Sequence, residues 1–141
     1  MKKHIGVWVD HEKAFVASIA KDDEMTKETI HRITSNVEGH VRLSGGSRSR
    51  TPYGPQEVAS ERKMHERRKR HLHLYYQTII QAIRDARKIM IFGPGEAKFE
   101  LERELTELKE LAAKIVSVEA ADKMTERQIA AKVRKYFFPD L

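Results

Sequence analysis

The sequence predicts a single α/β domain in which helices pack on a five-stranded mixed sheet. Three observations carry that expectation. The first 34 residues hold three β-branched segments joined by short polar breaks. The middle of the chain holds one long stripe of helical period. Two short runs, one of them continuously apolar, then each lead toward another helical segment. With 141 residues, one domain with one real core is expected, residues 1–141, and a multi-domain enzyme is excluded.

The elements follow in order. His4-Ile5-Gly6-Val7-Trp8-Val9 is β-branched and apolar, breaks at Asp10-His11-Glu12-Lys13, and resumes from Ala14 to Ala20, which reads as a hairpin. After a polar turn at Lys21 to Glu24, Thr26 to Thr34 reads as a third, more exposed strand, completing an antiparallel meander. From Ser35 to Pro55 no apolar period survives. The stretch Ser44 to Pro55, with Gly45-Gly46-Ser47, Pro52 and Gly54, is loop chemistry, so a flexible Gly/Ser/Arg loop is expected at about 35–56.

Helical composition begins at Gln56, and helical period begins at Leu72 and continues through Tyr75, Tyr76, Ile79, Ile80, Ile83 and Ala86. Such a helix packs by its second half and leaves its basic first half projecting. Ile89-Met90-Ile91-Phe92 reads as a strand buried on both faces and ends at Gly93-Pro94-Gly95. Phe99, Leu101, Leu105, Leu108, Leu111 and Ala112 then mark an inward helical stripe, and Ile115-Val116-Ser117-Val118 a further strand. Thr125 and Gln128 have the spacing of a capping box, opening a last helix that turns Ile129, Ala130, Val133 and Phe137 inward and stops before Pro139. Strands separated by helices return parallel through right-handed crossovers. The order β-β-β-α-β-α-β-α is shared by ribonuclease H-like folds and by the central domain of class-1 release factors.

Composition bounds the function. An apolar content of 40% is enough to fold, so the 34% of charged residues is a surface and not general disorder. The absence of Cys excludes a disulfide scaffold, a zinc-thiolate site and a thiol nucleophile, and fits a cytoplasmic protein. Met1 to Asp10 is too short in apolar residues for a secretion signal, and nothing approaches the ~20 apolar residues of a membrane span. A soluble protein is expected.

The net charge of +6 is localised. Residues 40–71 contain nine basic residues (Arg42, Arg48, Arg50, Arg62, Lys63, Arg67, Arg68, Lys69, Arg70) and three acidic ones (Glu57, Glu61, Glu66). The rest of the chain balances. Two glycines allow close approach of a backbone to a ligand, Arg48 and Arg50 supply fork-shaped donors, and Arg67-Arg68-Lys69-Arg70 has no acid within it. This pattern points to a nucleic-acid backbone, with Tyr53 or His71 available to stack on a base.

The Gly45-Gly46 loop between the third strand and a long helix, the Tyr75-Tyr76 region, and the strand leading to Gly93-Pro94-Gly95 and Lys98 resemble the central domain of the archaeal and eukaryotic translation termination factor and its relative Pelota. The strings Gly6-Val7-Trp8-Val9-Asp10-His11, Gly93-Pro94-Gly95-Glu96-Ala97-Lys98 and Ala121 to Gln128 are similar to small bacterial proteins often labelled translational machinery proteins. In the termination factors the loop reads Gly-Gly-Gln and helps water attack the peptidyl-tRNA ester. Gly45 and Gly46 match that motif, whereas Ser47 stands where the glutamine would fall. The resemblance therefore implies binding to ribosomal RNA, tRNA or the ribosome, with a role in ribosome rescue, no cofactor, and hydrolysis only if Ser47 or Gln56 assists a water held by loop amides.

Competing readings remain open at this level. Gly93-Pro94-Gly95-Glu96 is favoured as a structural turn, because Glu96 itself satisfies the helix start. A ribonuclease H-like nuclease would bind magnesium through Asp10 and Asp122, with Asp85 or Glu119 approaching. A third reading is a homo-oligomer in which the long helix pairs with a partner chain. The seven histidines show no zinc spacing.

Overall fold

A computed structural model describes residues 2–35 and 54–140, with residues 54–59 described by their backbone alone. Strands β1 (Lys2–Val9), β2 (Lys13–Lys21) and β3 (Thr26–Thr34) precede helix α1 (Gly54–Ile83), strand β4 (Ala86–Gly93), helices α2 (Ala97–Thr106) and α3 (Lys109–Ala112), strand β5 (Ile115–Ala120) and helix α4 (Glu126–Phe137). The strand order is β3-β2-β1-β4-β5. β1 pairs antiparallel with β2, β2 antiparallel with β3, and β4 runs parallel to both β1 and β5. This is a single α/β domain on a five-stranded mixed sheet with an antiparallel edge and helices packed on it.

Alternation explains why the central strands are apolar throughout. Ile5, Val7 and Val9 of β1, Ala14 and Val16 of β2, and Ile89 and Ile91 of β4 face one side, where they meet Tyr75, Tyr76, Ile79, Ile80 and Ile83 of α1 and Leu101 and Leu105 of α2. The residues between them, Trp8, Phe15, Ala17, Ile19, Met90 and Phe92, face the other side and meet Ile129 and Val133 of α4. A sheet covered on both faces needs apolar residues at every position, not at every second one. Gly6 of β1 makes the α4 packing possible. A Cβ there would lie 2.2 Å from a methyl of Val133.

The two hairpin turns use the same device. Asp10 accepts the N–H groups of Glu12 and Lys13 at 2.8 Å each, and Asp22 accepts those of Glu24 and Met25 at 3.0 and 2.8 Å. Such side-chain-to-backbone bonds stabilise a turn without glycine. They also hold the Asp22 carboxyl below the usual carboxylate range, the Met25 N–H contributing most. At the start of α4 the Thr125 hydroxyl accepts from Gln128 N–H at 3.1 Å, and the Gln128 amide oxygen accepts from Thr125 N–H at 2.9 Å, so the capping box forms as the spacing predicts.

Four local expectations are corrected. Ala86 does not close the α1 stripe; the helix ends at Ile83 and Ala86 begins β4, which is longer than its apolar run. The expected helix from Phe99 to Ala112 is two helices, since Leu108 adopts an extended conformation between them while still packing on the core. Phe99 is exposed and its neighbour Lys98 is buried. Once α2 starts at Ala97, the inward line is Ala97, Leu101 and Leu105, and Phe99 falls two residues, about 200°, around the helix. The Lys98 ammonium donates to the Gly95 carbonyl at 2.5 Å and lies 4.5 Å from the centre of the Phe99 ring. Finally, β5 is a half-buried edge that includes Glu119 and Ala120. Among the described residues no helix is long and apolar enough to cross a membrane.

Candidate functional site

β1, β4 and β5 are parallel, so their carboxyl ends share one edge of the sheet, where open α/β sheets place their ligands. Three contacts knit that edge together. Gly93, at φ +147° where a Cβ would collide with the Val9 carbonyl oxygen, ends β4 against β1. Ala121 N–H donates to the Gly93 carbonyl at 3.1 Å, and the Trp8 indole N–H donates to the Asp122 carbonyl at 3.1 Å.

The long helix is anchored to the same edge. The Tyr75 hydroxyl donates to the Asp10 carbonyl at 2.9 Å. From Tyr75 to Ile83 the inward side of α1 is buried on the sheet, whereas from Ser60 to Leu74 no residue of α1 is buried. The 21 residues from Gly54 to Leu74 amount to about 30 Å of helix. Arg62, Lys63, Arg67, Lys69 and Arg70 are exposed and Arg68 half-buried, and none of the six forms an ion pair among the described residues. Arg42, Gly45, Gly46, Ser47, Arg48, Arg50 and Tyr53 lie outside the described residues. Gln56 lies within α1, and only its backbone is described.

The acidic residues of the alternative metal site do not form a group of three among the described residues. One oxygen of Asp10 is engaged by the two N–H groups of its turn, and Asp122 contributes its main-chain carbonyl to Trp8. Asp85 sits at the opposite edge, 2.9 Å from the Lys3 ammonium, which holds its carboxyl below the usual range. Lys3 and Asp10 are seven strand residues apart, about 23 Å. Glu119 accepts from the Ser117 hydroxyl at 2.8 Å and pairs with Lys132 at 3.5 Å. Among the described residues no three His, Asp or Glu side chains form a metal-binding group.

What the sequence reading missed is a groove of about 320 Å³ between α1 and α2, beside the β1–β2 turn. Two carboxylates one turn apart on α2 organise it. Glu100 accepts the Tyr76 hydroxyl at 2.6 Å and is bonded to His11 Nε2 at 3.0 Å through the same oxygen. Glu104 accepts the Gln77 amide at 2.9 Å and is bonded to His73 Nδ1 at 3.1 Å. Burial, and secondarily the Glu100 hydrogen bond and charge, push the Tyr76 phenol far above the ordinary tyrosine range, so it is a permanent donor at neutral pH. Arg103 of α2 lines the same groove with Arg68 and Lys69 of α1. The sequence signal for this arrangement was slight: carboxylates at Glu100 and Glu104, four apart, on a helix whose polar face also carries Arg103.

Neither a protein-family model nor a curated protein matches the sequence. Solved structures that are similar include the type II variant of the Aquifex aeolicus Ppx/GppA phosphatase, at 11% identity and a TM-score of 0.37. The match covers 86% of this chain and 36% of that one, so the chain spans little more than a third of the phosphatase's length.

Proposed function

We propose that this protein is a translation-associated RNA- or ribosome-binding domain of the cytoplasm, with a role in ribosome rescue. The observation that supports it most is the first half of α1, a run of cations without acidic partners among the described residues, on a helix tethered at the edge where the parallel strands end. Unpaired Arg and Lys on a rigid helix suit phosphates, because each contact releases a condensed counterion and costs no internal salt bridge. Gly45, Gly46, Arg48 and Arg50 immediately precede this helix in the chain and extend the same charge. Ser47 in place of the glutamine of the termination factors favours binding over ester hydrolysis.

The test is sedimentation with purified ribosomes and ribosomal subunits across a salt series. Binding that weakens steeply with salt and is lost when Arg67, Arg68 and Arg70 are all changed to Glu supports the proposal; binding unchanged in that variant overturns it. Magnesium-dependent RNA cleavage abolished by Asp10→Asn would install the nuclease in its place. A monodisperse oligomer indifferent to RNA at low salt would favour the partner-helix reading.

A further inference from the structure

Six cationic or cationisable side chains from three elements converge on the groove between α1 and α2: His11 from the β1–β2 turn, His65, Arg68, Lys69 and His73 from α1, and Arg103 from α2. Only two carboxylates line it. Both are already bonded, Glu100 to Tyr76 and His11, and Glu104 to Gln77 and His73. Arg68, Lys69 and Arg103 have no ion-pair partner among the described residues. The groove therefore carries a net charge of +1 with its imidazoles neutral and +4 with all three protonated. Its remaining wall, Leu72 and Tyr76, is the apolar surface of the helix packing.

We propose that this groove binds the phosphate group of a single ribonucleotide unit. Two arginines and a lysine around one concavity supply more donors than a phosphate has oxygens, and guanidinium pairs with phosphate in bidentate fashion. At about 320 Å³ the space lies at the lower end of the range for small-ligand sites, which suits one nucleotide and not a duplex. The carboxylates hold His11 through Nε2 and His73 through Nδ1, so both rings are oriented by Glu100 and Glu104 at the wall of the groove. The choice of a nucleotide over other phosphates rests on the RNA-binding reading above. The convergence of cations does not.

The probe is adenosine 5′-monophosphate, titrated into the full chain by calorimetry and by amide chemical shifts, with adenosine and inorganic phosphate as comparisons. Shifts confined to α1, α2 and the β1–β2 turn are expected, with adenosine binding weaker than the monophosphate by about tenfold or more. Arg103→Glu should weaken the monophosphate by a similar factor, and the milder Arg103→Gln guards against a folding defect. Equal affinity for adenosine and its monophosphate, or indifference to both Arg103 substitutions, overturns the site.

A 5′-phosphorylated RNA oligonucleotide that displaces the monophosphate assigns the groove to an RNA terminus; failure to displace it assigns the groove to a free mononucleotide. RNA binding that persists with no monophosphate binding overturns the groove and leaves the basic helix standing. Monophosphate binding without ribosome or RNA binding overturns the translation reading and leaves the groove.

Discussion

The Tyr75 hydroxyl donates a 2.9 Å hydrogen bond to the main-chain carbonyl of Asp10, tying α1 to the end of β1 across 65 residues of sequence. Burial, aided by the Asp10 charge, raises the phenol well above the usual tyrosine range, so the donor persists at every physiological pH. This contact fixes where the buried part of α1 gives way to its exposed, basic part. It is thus a link between core packing and the candidate interface.

Tyr75→Phe removes that donor and leaves a carbonyl without its partner. A loss of about 1–2 kcal/mol in urea-unfolding stability is expected, with the far-ultraviolet spectrum unchanged. A change near zero would mean that the ring, and not the hydroxyl, sets the position of α1.

Gly6→Ala places a methyl against Val133, 2.2 Å from one of its Cγ atoms. Overpacking of this kind costs about 1–3 kcal/mol. Val133→Ala alone opens a void and also destabilises, but the double variant should be more stable than the two costs added together. A double-mutant cycle showing strict additivity would refute close packing of β1 on α4.

The cations of α1 should act on ligand and not on fold. Replacing Arg67, Arg68 and Arg70 by Ala should lower the slope of log affinity against log salt for single-stranded RNA by about 2, from three lost phosphate contacts. Thermal stability should stay within about 0.5 kcal/mol for each of the exposed Arg67 and Arg70, as at other surface positions. An unaltered salt slope would show that these arginines do not touch phosphate.

His4 makes the fold sensitive to acid. Its Nδ1 is buried without a hydrogen-bond partner among the described residues, and its ring packs 5.0 Å from those of Phe137 and Phe138. Burial foremost, then Arg87 and Lys88, lowers its pKa below the ordinary 6.5. The unfolded chain therefore takes up a proton at a higher pH than the folded one. Stability is full above about pH 6.5 and declines as pH falls through the interval down to the depressed folded value. His4→Phe should remove this component from the pH dependence of unfolding. If the wild type and this variant lose stability in parallel between about pH 7 and pH 5, the imidazole is not the group responsible.

Much of this architecture was legible in the residues. The third strand begins and ends where its Thr-rich segment does, β4 is buried on both faces as its unbroken apolar run requires, and Thr125 and Gln128 cap α4 reciprocally. These are local properties, set by neighbours within a turn or a pleat. Less legible was the phase of α2. Phe99 outranks Lys98 in hydrophobicity, yet Lys98 is the buried one, because the helix start after Gly95 rotates the face and a nearby carbonyl receives the ammonium. Nor could spacing place Asp85: on a helix-to-strand turn it follows the strand's beginning to the edge opposite Asp10.

By itself the sequence determined the order of the five strands, the two-sided burial of β4 and the location of the whole net charge in residues 40–71. Hydropathy period and charge are carried by each segment wherever it packs. Only the tertiary structure decided that Glu100 would meet His11 and Tyr76, and Glu104 His73 and Gln77, so that Arg103 joins Arg68 and Lys69 around one groove. Those meetings depend on how two helices cross on a shared sheet. The crossing is set by the side chains packed beneath both helices, and the spacing of polar residues along either one does not contain it.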